Sequence, residues 1–163
     1  MDVQIEQLRI NYKTLEDFKA FREVGIQELS MKEELEQDMI ENNSKSPFFG
    51  IYIGDRLVAR MCLYEIDKAY DLYFSPAQKY LELWKLEVLE PYRNQRFGKA
   101  LVEHAKSFGY PVKTNARQGS DQFWLNMKFD AVHYDEIRDR GENPYVWYPT
   151  NVKAQTFQKD ESQ

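Results

Sequence analysis

Cysteine is nearly missing from this chain. Cys62 stands alone among 163 residues, so no disulfide can close within the chain and no cysteine-based zinc site can form. Two histidines leave too few ligands for a histidine-rich centre, and no metal is expected. Long apolar runs are missing too. Nothing approaches the ~20 residues of a membrane span, and the charged stretch 1–9 lacks the apolar core of a secretory signal. The expected location is therefore the cytoplasm, with no membrane partner. Basic charge is also in deficit: 22 Lys and Arg face 27 Asp and Glu, a net charge of -5, which disfavours nucleic acid as a partner.

What is present points to one packed domain over 1–163. Hydrophobic residues make up 42% and aromatics 15%, too rich for a disordered chain. Cys62, inside the apolar run 57–63, reads as a buried strand residue. Strands are expected over 4–12, 48–53, 56–66, 80–88, 111–115, 129–134 and 145–148. Gly54-Asp55 supplies a two-residue hairpin turn between the second and third. Thr14 reads as the cap of a first helix on which Leu15, Phe18, Phe21 and Val24-Gly25 continue at helical spacing, and Ser30 with Glu33 as the capping box of an acidic second helix that Asn42-Asn43-Ser44 ends. A third helix spans 97–108, with Phe97, Leu101, Ala105 and Phe108 on one face beside His104 and Gly109 at its C-terminus. Ser120 caps a fourth over 121–128. The segment 70–77 is irregular, 135–144 is a charged loop, and the polar tail from 150 is expected to be mobile. The fold class is a mixed α/β sheet of about seven strands with about four helices, with a strand–helix–strand crossover at its centre.

The junction after 80–88 carries the chemical signal. A helix start leaves its first N–H groups unpaired at the positive end of the dipole, where an anion is favoured. The segment 91–100 (PYRNQRFGKA) adds Arg93, Arg96 and Lys99 and has no acidic residue. Gly98 removes a side chain where a phosphate would approach the backbone. Neither a Gly-Lys-Ser/Thr P-loop nor a Gly-x-Gly-x-x-Gly fingerprint occurs.

The stretch Val88-Leu89-Glu90-Pro91-Tyr92-Arg93-Asn94-Gln95-Arg96-Phe97-Gly98-Lys99-Ala100 resembles motif A of the GNAT superfamily of N-acetyltransferases, in which an Arg or Gln precedes two glycine-type positions. Phe123-Trp124, followed by Lys128-Phe129, resembles the superfamily's Phe-Tyr and Gly-Phe pairs, and the element order agrees over most of the chain. Arg96 and Asn94 stand where glycines are usual, Lys128 replaces another, and Trp124 fills the slot of a tyrosine that orients or protonates the leaving thiolate. A non-glycine residue at 96 would cost little if its backbone were right-handed.

The resemblance implies acetyl-CoA, or coenzyme A, as bound cofactor. Its pantetheine arm would lie on the backbone of Leu86, Glu87 and Val88, and its pyrophosphate on Arg93, Asn94, Gln95, Arg96, Phe97, Gly98, Lys99 and Ala100. Asn115, Phe123 and Trp124 would contact the arm. The partner would be an amine of a small molecule or a protein, and dimerisation follows family habit. An amine with pKa ~10.4 is neutral about once in 2,500 at pH 7, so a base helps. Glu82 is the first candidate, facing the same way as Tyr80, Trp84 and Leu86, and Glu87 is the second. His104 reads as structural, and Tyr64, Tyr70, Tyr73 and Tyr80 as half-buried sheet residues. Two other readings stay open: an acyl-CoA-binding module without catalysis, and an α/β interaction domain without cofactor.

Overall fold

The computed structural model describes residues 3–21, 31–41, 45–149 and 153–154. Among these the elements are β1 (Ile5–Gln7), α1 (Tyr12–Phe18), α2 (Met31–Glu41), β2 (Phe48–Ile53), β3 (Arg56–Ile66), β4 (Phe74–Ser75), β5 (Tyr80–Val88), α3 (Phe97–Lys106), β6 (Val112–Asn115), α4 (Asp121–Asn126), β7 (Asp130–Ala131), α5 (Glu136–Asp139), β8 (Pro144–Trp147) and β9 (Lys153–Ala154). Seven strands form one mixed sheet in the order β1-β2-β3-β5-β6-β8-β7, and β4 pairs separately with β9. The parallel pair β5–β6 needs a crossover, and α3 supplies it. The chain forms two compact units, 1–63 with 85–101 and 64–84 with 102–163.

In the first unit β1, β2 and β3 make an antiparallel meander. Gly54 turns the hairpin at φ 62°. Gly50 answers a different demand: a Cβ there would lie 2.6 Å from Leu57 Cδ1 and 3.1 Å from Leu8 Cδ1. Phe18 of α1 is buried and meets Phe48 of β2 edge-on at 5.5 Å. Burying one such ring contributes roughly 1.5–3 kcal/mol. Met31 and Leu35 bury the inner side of α2.

The second unit sorts its side chains by strand alternation. Leu81 and Leu83 are buried on one side of β5. On the other side Tyr80 joins Tyr73, Phe74, Val132 and Val146 in an apolar cluster, with Ile66 and Tyr148 packed against it. Asp71 holds the preceding turn by accepting from the N–H groups of Tyr73, Phe74 and Gln78.

Several local expectations are corrected. Asn11, not Thr14, caps α1, because its side chain accepts from the Thr14 N–H at 3.0 Å and Thr14 itself is buried. Strand β1 is correspondingly short. Helix α3 ends at Lys106, so Phe108 lies beyond it and is 46% exposed. The Ser120 hydroxyl donates back to the Arg117 carbonyl and does not cap α4. Tyr70 is exposed at the end of a 3-10 turn, whereas Tyr73 and Tyr80 are buried. The charged loop 135–144 contains α5, capped by Asp135, and within the tail Lys153–Ala154 form β9. Val24, Gly25, Ser30, Asn42 to Ser44 and the tail residues 150–152 and 155–163 lie outside the described residues.

Helix α4 ends at Asn126, two residues earlier than expected, on a left-handed Lys128 at φ 72°. The Phe129 N–H returns to the Trp124 carbonyl at 3.0 Å and the Lys128 N–H to Leu125 at 3.0 Å. This is the Schellman closure, with lysine in the position that glycine usually takes.

Candidate functional site

The basic junction lies in the first unit, and its path is set by backbone hand. Leu89 leaves β5 with its N–H on the Val58 carbonyl at 2.9 Å, and a 3-10 turn over Glu90–Tyr92 follows, with proline in its first turn. Arg93 is extended, and its Nε donates to the Val88 carbonyl at 3.0 Å, which ties the loop to the end of β5. Asn94 is left-handed at φ 66° and Arg96 at φ 71°. The right-handed backbone that would make a side chain at 96 cheap is therefore not the one adopted. A left-handed L-residue costs roughly 1–2 kcal/mol, less for asparagine. The loop keeps the glycine-type path with glycine absent from both positions. Such turns gather successive N–H groups into anion-binding concavities.

The Ala100 N–H takes the Arg96 carbonyl at 3.0 Å, so the N–H groups of Phe97, Gly98 and Lys99 precede the ladder of α3. Phe97 is buried and packs against Tyr92 at 6.4 Å, which anchors the helix start. Arg93, Asn94, Gln95, Arg96 and Lys99 are exposed, while Gly98 and Ala100 are half-buried. Three cations and an open helix start thus converge within seven residues of chain, beside no carboxylate of that segment.

Leu86, Glu87 and Val88 precede this loop on β5 and are half-buried. The Glu87 carboxylate is engaged: Oε1 accepts from Arg60 Nε at 3.0 Å and Nη2 at 2.6 Å. Arg60 is fully buried on β3, and its guanidinium lies 4.6 Å from the Phe18 ring and 4.3 Å from the Phe21 ring. Sequence reasoning missed Arg60. Its signal was a lone charge inside the apolar run 57–63, since a buried charge requires a partner.

In the second unit Glu82 pairs in register with Lys113 across β5 and β6, with Lys113 Nζ 3.3 Å from Oε2. The registered pairing of β5 with β6 covers Leu81–Leu83 only, and the Thr114 hydroxyl donates to the Leu83 carbonyl at its end. Asn115 follows, half-buried, and its Oδ1 is buried and finds no donor among the described residues. Phe123 is half-buried on α4 and stands edge-on to Trp124 at 4.9 Å. Trp124 is 5% exposed and packs on Phe129 at 5.1 Å, so the residue in the tyrosine slot belongs to the core.

The same unit holds a polar cluster that the sequence did not reveal. Tyr73 donates to Asp139 at 2.8 Å, and Arg138 grips both oxygens of Asp139 at 2.8 and 2.9 Å. Burial opposes the Asp139 charge, but Arg138, the Asp135 N–H and Tyr73 outweigh it and hold the carboxyl at about 2. Burial, then Asp139, pushes the Tyr73 phenol far up. Burial, then the charges of Glu82 and Asp71, raises Tyr80. His104 is half-buried, faces Phe108 at 5.3 Å, and is lowered by burial. Among the described residues no His, Cys, Asp and Glu group suits a metal ion, and no helix is long and apolar enough to cross a membrane.

Comparison with known proteins agrees with this geometry. The acetyltransferase (GNAT) family pattern matches residues 11–112. An uncharacterised N-acetyltransferase of Halalkalibacterium halodurans is 61% identical over 160 residues, covering 98% of this chain and 95% of that protein. The crystal structure of Bacillus subtilis N-acetyltransferase YlbP in complex with coenzyme A is similar with a TM-score of 0.77 and 57% identity, over 91% of this chain and 97% of that one. A Thermoplasma acidophilum PaiA N-acetyltransferase structure, at 20% identity and TM-score 0.59 over 94% and 99% of the two chains, shares the fold.

Proposed function

Because the chain belongs to the acetyltransferase (GNAT) family, we propose that it moves an acetyl group from acetyl-CoA to a primary amine by direct attack of the amine on the thioester. Its activity is acyl-CoA-dependent N-acetylation. The observation that carries this reading is the junction from Arg93 to Lys99, with three cations, two left-handed residues and an open helix start. A pyrophosphate needs such a cradle.

Acetyl-CoA brings its acyl group as a thioester, activated toward an amine. The N–H groups of Asn94 to Lys99 bind the pyrophosphate, with Gly98 and Ala100 keeping the approach open. The Arg96 and Lys99 side chains add charge, and Arg93 braces the loop through Val88. The backbone of Leu86, Glu87 and Val88 serves the pantetheine arm. In the second unit, Asn115 offers its unpaired Oδ1 to a ligand N–H, and half-buried Phe123, backed by the buried Trp124, presents apolar surface. Glu82, with a side chain 25% exposed, takes the proton that the amine nitrogen loses as the C–N bond forms and the C–S bond breaks, and coenzyme A leaves with the C–S electron pair as its thiolate. Glu87 is the second candidate, and its pairing with Arg60 supports a bracing role for it.

The test is thiol release from acetyl-CoA with a panel of amines: spermidine, a peptide with one free lysine, a peptide with a free N-terminus, and an aminoglycoside. Turnover of at least one amine is expected, together with loss of calorimetric coenzyme A binding in Gly98→Trp. Tight binding without turnover of any amine would replace this reading by a non-catalytic acyl-CoA-binding module, which the buried Trp124 in the tyrosine slot would then favour.

A further inference from the structure

Lys113 occupies a position where chain energetics call for an apolar residue. It lies in the middle of β6, is 5% exposed, and pairs in register with Val146 of β8, which is fully buried. The ring of Tyr73 lies 5.1 Å from its Nζ, and that ring is fixed in turn by the Asp139 bond and by Arg138, whose guanidinium is 4.5 Å away. Removing an ammonium from water costs several kcal/mol, and one long ion pair does not offset it. A leucine or methionine would fill the same space without that cost. Stability therefore gives no reason for the charge.

The pair itself supplies a reason. Among the described residues Lys113 has one carboxylate partner, Glu82, at 3.3 Å. Glu82 is the more exposed member, 25% against 6% for the lysine side chain. One oxygen of Glu82 thus lies 3.3 Å from a buried cation, while the glutamate side chain itself stays partly exposed. The pair sits one residue before the last registered step of β5 and β6, Leu83 with Thr114. We propose that Lys113 is a positioning residue for acyl transfer: it holds the Glu82 carboxylate in the orientation that accepts the amine proton. This rests on Glu82 as the proton acceptor.

The experiment is steady-state kinetics on the full chain with acetyl-CoA and the panel amine that the wild type turns over fastest. Lys113→Met, Lys113→Arg, Glu82→Gln and the double variant Lys113→Met with Glu82→Gln are compared, each with its thermal midpoint. A misplaced base forfeits part of the ~100-fold or more that such a group supplies. Lys113→Met is therefore expected to lower kcat about tenfold, with KM for acetyl-CoA within about twofold, and Lys113→Arg to return within about threefold of wild type. On the Glu82→Gln background Lys113→Met is expected to add nothing. Wild-type kcat in Lys113→Met overturns the proposal, as does a loss that is equally large when Glu82 is already glutamine. Wild-type kcat in Glu82→Gln removes the base reading and this one with it, and a wild type inactive on every amine removes both. If Lys113→Met does not fold, Lys113→Gln serves in its place.

Discussion

Arg96→Gly is expected to make the protein more stable and its hold on coenzyme A weaker. The backbone at 96 is left-handed, at φ 71°. An L-side chain there costs roughly 1–2 kcal/mol, which glycine avoids. Glycine also gains freedom in the unfolded chain, which returns about 0.4–1 kcal/mol to that state. The net expectation is a gain of about 0.5–1 kcal/mol, a rise of roughly 1–4 °C for a chain of this size. Binding moves the other way. A unit charge 4 Å from a phosphate is worth ~1 kcal/mol in water, about fivefold in Kd, and less as salt rises. Urea denaturation and calorimetry of coenzyme A at low and moderate salt measure both effects. Arg96→Ala separates them, since it keeps the strain and loses the charge. Two results would refute the reasoning: an Arg96→Gly protein no more stable than Arg96→Ala, or coenzyme A binding that is unchanged at low salt in both.

Lys128→Gly relieves the same kind of strain at the end of α4 and is expected to raise stability by up to about 1 kcal/mol in urea melts, with no change in coenzyme A affinity. Arg60→Met strands the buried Glu87 carboxylate and should cost about 3–5 kcal/mol, whereas Arg60→Met with Glu87→Leu should cost less than either single change, read from the same melts. Asp139 has its carboxyl lowered from 3.8 to about 2, so its contribution is complete above about 4 and is lost as pH falls through about 2. That contribution is of order 2 kcal/mol. The urea midpoint should therefore fall over that window in wild type and fall less in Asp139→Asn.

The amino-acid sequence by itself determined the order of the seven strands of the main sheet and of the first four helices, the hairpin at Gly54 and the basic turn before α3. These are local matters: alternation along a strand, an open helix start, and cations clustered between 93 and 99 all act over a few consecutive residues. The hand of the backbone at Asn94, Arg96 and Lys128 was not legible there, because residue type alone assigns arginine and lysine to the right-handed region. Only the turn they must complete makes them left-handed. The second partner in each long-range polar pair was equally hidden. Glu87 and Arg60 are 27 residues apart, Glu82 and Lys113 are 31 apart, and Tyr73 and Asp139 are 66 apart. Tertiary structure decided these pairs, since a polar or charged group taken out of water pairs with whichever partner the fold delivers within hydrogen-bond reach.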